Sequence, residues 1–160
     1  MFDLIATRYD FINRALALNL DMGWRHRLVA EVVGPEGELF NNNNVQFLDL
    51  ATGTADVAIL LGKAAAKYAS SSSNSASVLG LDPSQNMLNV GKTKVKDLDL
   101  ANIVSLKLGD ARKLSSLDDN SIDAATMSFG IRNVPEKAQA LCEINRVLKK
   151  GSADTKLAIM

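Results

Sequence analysis

Four short stretches hold the residues whose types and spacing could grip a small ligand. In VQFLDLATGTAD (45–56), an apolar run ends at Asp49 and breaks into the small-residue turn Ala51–Ala55 before a helical pattern begins. Gly53 allows backbone to approach a ligand closely, and Thr54 offers a hydroxyl and an amide at the start of that helix. In GLDPSQNML (80–88), a second apolar run ends in Asp82, whose carboxylate could take both hydroxyls of a ribose through charge-strengthened hydrogen bonds. Ser84 reads as the cap of the following helix, which leaves Asp82 to the ligand. The third stretch, Gly109-Asp110-Ala111, offers an acceptor for the exocyclic amine of an adenine and an amide for a ring nitrogen, although an Asx-turn explains the same residues. The fourth, Ser128-Phe129-Gly130-Ile131-Arg132-Asn133, sets a serine, an aromatic, a glycine, a cation and an amide side by side.

The turn at Gly53 has one glycine where a dinucleotide fingerprint has three, so a pyrophosphate pressed against the backbone is a poor fit. A phosphate-free adenosyl ligand such as S-adenosylmethionine fits better. Near the amino terminus, Tyr9-Asp10 and Trp24-Arg25 place aromatic and charged groups on a helical segment that could lie over such a site.

For these residues to meet, the elements must alternate. Apolar runs predict strands at Val45–Leu50, Ser77–Leu81, Ile103–Leu108, Ile122–Ser128 and Lys156–Met160, and 3.6-residue periodicity predicts helices at Asp56–Tyr68, Ser84–Lys96 and Glu136–Leu148. Strands separated by amphipathic helices imply an α/β fold with a mostly parallel sheet covered on both faces. In such sheets ligands collect at the strand carboxyl ends, where every residue named above falls. Residues 1–34 read as helical, with a break at Asn19–Gly23 ahead of a helix at Trp24–Val33, and the polar tracts Asn41–Asn44 and Ser70–Ser73 read as surface loops. The chain is therefore expected to be one domain, with a helical cap over residues 1–40 and a Rossmann-like core over 45–160. Its last residues, Ala158-Ile159-Met160, stand inside an apolar run, which reads as a stop within a longer domain.

Composition narrows the function. Eighteen basic residues balance eighteen acidic ones, so no overall field draws the protein to nucleic acid. A lone histidine, His26, has no ligand-spaced companion for a metal, and a single cysteine, Cys142, excludes an intramolecular disulfide. No apolar run reaches the ~20 residues of a membrane span, and the first residues do not pattern as a signal peptide.

Taken in order, RYDFINRALAL, FLDLATGTADVAI, GLDPSQNML, GDARKL, DDNSIDAATMSFGIRNVPEKAQAL and EINRVLKKG resemble the landmarks of the UbiE/COQ5 methyltransferases, from about Phe2 to Gly151. The resemblance implies a class I methyltransferase fold and C-methylation of a polyprenyl benzoquinol or demethylmenaquinol, with S-adenosylmethionine as methyl donor. By position it implies that Gly53, Thr54, Asp82, Asp110, Ala111 and Ser128 hold that cofactor, while Arg132 and Asn133 face the quinol. One departure is Ala55, where the family commonly has glycine. The family also continues into two more strands, which leaves the activity of the 160-residue chain open. A lipophilic quinol implies contact with a membrane surface, and a self-assembly or a quinone-biosynthesis complex as the setting. The compartment would be the cytoplasm in a bacterium, or a mitochondrion or plastid in a eukaryote. Rival readings are a methyltransferase for another small molecule, a cofactor-binding scaffold without activity, and a nicotinamide-dependent oxidoreductase, against which the missing glycines argue.

Overall fold

The computed structural model describes residues 20–34, 37–41, 44–69, 75–151 and 155–160. Five strands form one sheet: β1 (Val45–Leu50), β2 (Ala76–Asp82), β3 (Val104–Leu108), β4 (Ala124–Met127) and β5 (Lys156–Ile159). Their order is β3-β2-β1-β4-β5, and every pairing is parallel. Among the described residues, the α-helices are α1 (Leu20–Val33), α2 (Asp56–Ala69), α3 (Gln85–Asp97) and α4 (Lys137–Val147). The predicted strands and core helices are thus all present, with ends shifted by one or two residues.

The period-two alternation of β1 sorts the core into two layers. Val45 and Phe47 pack with Leu28, Val32, Leu61 and Leu88 from α1, α2 and α3. Leu48 and Leu50 point the other way, into a cluster with Ala140, Ile144 and Val147 of α4. Asp49 has the parity of Val45 and Phe47, so the pleat sends a carboxylate toward the three-helix side. In α1, Arg25, Leu28, Val29 and Val32 form the buried stripe at helical spacing.

Two expectations need correction. Leu20–Gly23 are helical rather than a break, because the stripe of α1 anchors the helix while Gly23 lies exposed with nothing near it. Strand β4 is shorter than expected at both ends. Ile122 makes only an isolated bridge with Leu148, and buried Asp123 turns its carboxylate to accept the Gln46 N–H at 2.8 Å and Lys149 Nζ at 2.7 Å. Tyr9, Asp10 and Ser70–Ser73 lie outside the described residues.

The carboxyl ends of the strands are laced together by backbone bonds. The Thr52 N–H donates to the Leu81 carbonyl at 3.0 Å, and the Gly109 N–H to the Asp82 carbonyl at 3.1 Å. Helix α3 leans onto the turn after β1 because Gly91 has no side chain. A Cβ there would lie 2.9 Å from Leu106 Cδ1, 3.0 Å from Ala55 Cβ and 3.2 Å from the Thr54 carbonyl carbon. Gly91→Ala should therefore lower stability by about 1–2 kcal/mol despite alanine's better helix propensity, since overpacking costs roughly 1–3 and propensity returns roughly 1. Thermal melting checks this; a variant as stable as the wild type would contradict it.

Candidate functional site

The chain runs outward from β1 to β2 and β3, then returns to place β4 on the other side of β1. A reversal of this kind opens a crevice beyond the strand ends. A cleft of about 220 Å³ lies there, and Gly53, Asp82, Asp110, Ala111, Ser128 and Asn133 all line it. A smaller lobe of about 50 Å³ adjoins it, lined by Arg25, Asp49, Thr54 and Asp56. Ala51, Gly53, Ser128 and Phe129 border both lobes, so the two are parts of one depression.

The turn from β1 to α2 is wound tightly. Ala51, Gly53 and Ala55 have φ of 51°, 56° and 69°, in the left-handed region where only glycine sits without penalty. Ala55 thus occupies a conformation that explains a preference for glycine at its position. The turn is held by Asp82, whose Oδ2 accepts the Gly53 N–H and whose Oδ1 accepts the Ser84 N–H, each at 2.8 Å. Ser84 caps α3 as expected, accepting the Met87 N–H at 3.3 Å. Asp82 is nonetheless not left wholly to a ligand, because the cap residue's own amide needs an acceptor. A carboxylate oxygen has two lone-pair directions, so an oxygen bound to one amide can still accept from a hydroxyl.

Thr54 is buried, and its hydroxyl oxygen accepts from Lys94 Nζ at 3.2 Å rather than facing the main cleft. Lys94 also pairs with Asp56 Oδ1 at 2.5 Å, and Arg25 pairs with Asp56 Oδ2. Asp56 opens α2, where the helix dipole favours negative charge. The cluster ties α1, α2 and α3 to the turn.

Asp110 lines the cleft and takes the Asx-turn that its sequence allowed. Its Oδ1 accepts the Arg112 N–H at 2.9 Å, which is the Asx-turn alternative, and Arg112 Nε and Nη2 reach the carboxylate at 3.0 and 2.5 Å. The guanidinium beside it holds the Asp110 carboxyl below the usual carboxylate range. Arg112 pairs with Glu136 as well, spanning the outer edge of the cleft. An adenine amine bound to Asp110 would share the carboxylate with this arginine. Nothing in composition or periodicity marks Arg112; the one available signal is its place two residues after an Asx-turn aspartate. Met87 and Pro83, which also line the cleft, read in the sequence only as a helix position and a turn residue.

Two buried polar groups face the depression without the usual compensation. Ser128 Oγ is buried and has no hydrogen-bond partner among the described residues, an arrangement that costs roughly 1–3 kcal/mol unless a ligand or water supplies one. Asp49 is 1% exposed and accepts hydrogen bonds from Thr52 Oγ1 at 2.6 Å and Thr126 Oγ1 at 2.7 Å. Burial still dominates and pushes its carboxyl up to about 6.

Arg132 and Asn133 form a turn of 3-10 helix (Ile131–Asn133) after β4. Asn133 lines the cleft, whereas Arg132 lines neither lobe and is exposed; its guanidinium lies 5.8 Å from the centroid of the Phe129 ring. Phe129 itself has φ of 56°, a conformation that costs an L-residue roughly 1–2 kcal/mol and tends to persist at functional sites.

The model of the ubiE/COQ5 methyltransferase family matches residues 1–158. The chain belongs to this family. Among relatives, a ubiquinone/menaquinone biosynthesis C-methyltransferase UbiE from Citrifermentans bemidjiense is 39% identical over 160 residues, covering 100% of this chain and 60% of that protein. A demethylmenaquinone methyltransferase from Lactiplantibacillus plantarum is 39% identical over 152 residues, covering 95% of this chain and 58% of that one. The chain spans about 60% of the length of these curated relatives. A solved SAM-dependent methyltransferase from Aquifex aeolicus shares the fold, with a TM-score of 0.56 at 24% identity over 78% of this chain and 67% of its own. The parallel sheet of this ubiE/COQ5 family member is thus the Rossmann-like α/β architecture expected from its sequence.

The donor set also fits the methyl donor of the family on its own chemistry. S-adenosylmethionine carries a ribose diol, an adenine, a sulfonium and an α-ammonium. The depression offers carboxylates at Asp82, Asp110 and Asp49 and an unsatisfied hydroxyl at Ser128, and its two lining arginines, Arg112 and Arg25, are paired with Asp110 and Asp56.

Proposed function

We propose that this protein transfers a methyl group from S-adenosylmethionine to a ring carbon of a polyprenyl quinol in ubiquinone or menaquinone biosynthesis. The observation that carries the reading is the convergence of Asp49, Asp82, Asp110 and Ser128 on one depression at the carboxyl edge of the sheet, in a chain of this family. A cofactor with two cationic centres meets buried and rim carboxylates there rather than a phosphate cradle.

When bound, S-adenosylmethionine supplies an activated methyl group on a sulfonium. Asp82 would hold the ribose, Asp110 and Ala111 the adenine, and Ser128 a polar group at the junction of the lobes. Asp49 in the smaller lobe is the acceptor suited to an ammonium, because a cation there offsets the burial of its charge.

Attack by a ring carbon needs electron density, which a phenolate supplies better than a phenol. A phenol titrates near ~10, so roughly 4 kcal/mol separates it from ionisation at neutral pH. Arg132 cannot take the proton, since a guanidinium stays charged at neutral pH; water takes it, and water also takes the hydrogen that the methylated ring carbon gives up as the ring regains aromaticity. Its role is to favour the phenolate and fix its orientation. Holding the ring carbon in line with the methyl supplies much of the remaining acceleration. A quinol with an isoprenoid tail would bring the protein to a membrane surface, and the compartment would follow the quinone.

The direct test is calorimetric titration with S-adenosylmethionine, followed by product analysis with short-chain quinols. Arg132→Ala should lower turnover about thirtyfold with cofactor affinity changed less than about twofold. That is below the ~100-fold or more expected of a fully enclosed donor, because Arg132 is exposed to water. Failure of the purified protein to bind S-adenosylmethionine would end the reading.

A further inference from the structure

We propose that Trp24 and Phe129 form an aromatic wall that packs the ring of the quinol, with Arg132 at its rim; this rests on the methyl-transfer reading above. Trp24 is the sole tryptophan of the chain and is 48% exposed, although large aromatic side chains are usually covered. It does not stand free on the surface. Its ring centroid lies 6.2 Å from that of Phe129, with the planes tilted by 55°.

The geometry follows from α1. Successive residues on a helix point about 100° apart, so Arg25 and Trp24 cannot face the same way. Arg25 turns inward to Asp56 in the smaller lobe, and the ion pair fixes the rotation of α1. Trp24 is thereby turned away from that ion pair and lines neither lobe itself, but its ring lies against Phe129, which does. Phe129 is held just as firmly: its backbone is left-handed, and its N–H donates to the Met160 carbonyl at 2.7 Å. Phe129 borders both lobes of the cleft and follows Ser128 in the chain, which puts it at the edge of the proposed cofactor site.

Two rings tilted against each other, with a guanidinium 5.8 Å over one of them, suit a particular kind of ligand. A flat ring gains contact area and edge-to-face attraction from the aromatic pair, and an ionised hydroxyl on it gains the cation. A phosphate ester would call for several cations and no aromatic wall. An amine would call for a carboxylate of its own, and among the described residues the two in the adjoining lobe are already committed: Asp49 to the cofactor's ammonium in the reading above, and Asp56 to Arg25 and Lys94. The occupant is therefore the phenolic ring itself rather than the isoprenoid tail.

The position of the sole tryptophan makes the test direct. The protein, saturated with S-adenosylhomocysteine, is titrated with 2-methoxyhydroquinone kept reduced under argon, and binding is followed by Trp24 emission and independently by equilibrium dialysis. The expected result is a saturable change in emission over the same concentration range as binding. Trp24→Ala should weaken hydroquinone binding about thirtyfold and Trp24→Phe less than about threefold, with S-adenosylhomocysteine affinity changed less than about twofold in both. In turnover, the alanine variant should raise KM for the quinol far more than it lowers kcat. Hydroquinone binding that leaves Trp24 emission unchanged and survives Trp24→Ala would overturn the wall while leaving the methyl-transfer reading intact. S-adenosylhomocysteine binding without any hydroquinone binding would overturn both the wall and the quinol as substrate.

Discussion

Asp82→Ala is expected to weaken S-adenosylmethionine binding about a thousandfold and to destabilise the fold at the same time. With the ribose placed as proposed, the first effect is the loss of two hydrogen bonds from its diol to a charged acceptor, each worth roughly 2 kcal/mol, which together approach three decades in affinity. The second comes from the protein itself. Asp82 is buried and accepts the N–H groups of Gly53 and Ser84, so its removal leaves two amides beside the cleft without that acceptor, at a cost of about 2–4 kcal/mol. Asp82→Asn separates the two effects. An asparagine keeps one acceptor oxygen but turns an NH₂ toward the other amide, so it should retain part of the stability and little of the affinity. Thermal melts and calorimetry on both variants, beside Arg132→Ala, check the assignment. Cofactor binding that survives Asp82→Ala and disappears with Arg132→Ala would exchange the roles of these two residues.

The residues explain why one layer of this organisation could be read from the chain and another could not. Strand β1 is a run of apolar residues bounded by a turn, and its neighbours repeat the pattern, so local hydrophobicity is enough to find the sheet. Asp82 and Ser84 are equally legible, since strand end, proline and helix cap follow within three residues. Asp110 is legible as a position but not as a chemical state, because its partner Arg112 acts through side-chain torsions that no spacing rule encodes. Arg25 is a harder case. It lies 31 residues from Asp56, and only the packing of α1 on α2 turns a helix-surface arginine into a buried ion pair. The expected break fails over Leu20–Gly23, the part of it among the described residues, for the same reason. Glycine weakens a helix by roughly 1 kcal/mol, which the buried stripe of Leu28, Val29 and Val32 outweighs. Pattern finds elements; contacts between elements decide what the charged side chains do.

Asp49→Asn should make the protein more stable at neutral pH and a poorer binder of its cofactor. In the fold Asp49 sits between Gly80 and Thr126 of the neighbouring strands. Gly80 leaves room for Thr52, since a Cβ there would come within 2.9 Å of Thr52 Oγ1, and Thr52 can therefore reach the carboxylate. These two threonine bonds only partly offset burial, which raises the carboxyl from 3.8 to about 6. The folded state then holds its proton more tightly than the unfolded state does. Stability contributed by the protonated group is complete below pH ~4, falls as pH rises through the window up to about 6, and is lost above it. Two pKa units correspond to about 3 kcal/mol. An asparagine resembles the protonated acid: its oxygen accepts from one threonine hydroxyl, and its NH₂ donates to the other. The Asp49→Asn protein should be about 2–3 kcal/mol more stable than wild type at pH ~7 and no different near pH ~4. Denaturant unfolding across that range measures it, and a variant less stable at neutral pH would refute the argument. Binding should move in the opposite direction, because an ammonium in the smaller lobe favours the ionised carboxylate that the empty fold disfavours. The wild type should release a proton on binding S-adenosylmethionine at about pH 5.5 and almost none at about pH 7.5, whereas the variant should release none at either pH and bind at least about tenfold more weakly. Calorimetry in buffers of different ionisation enthalpy reads that proton directly. A carboxylate that costs stability when the cleft is empty and repays it only when a cation arrives is the signature of a residue kept for the ligand rather than for the fold.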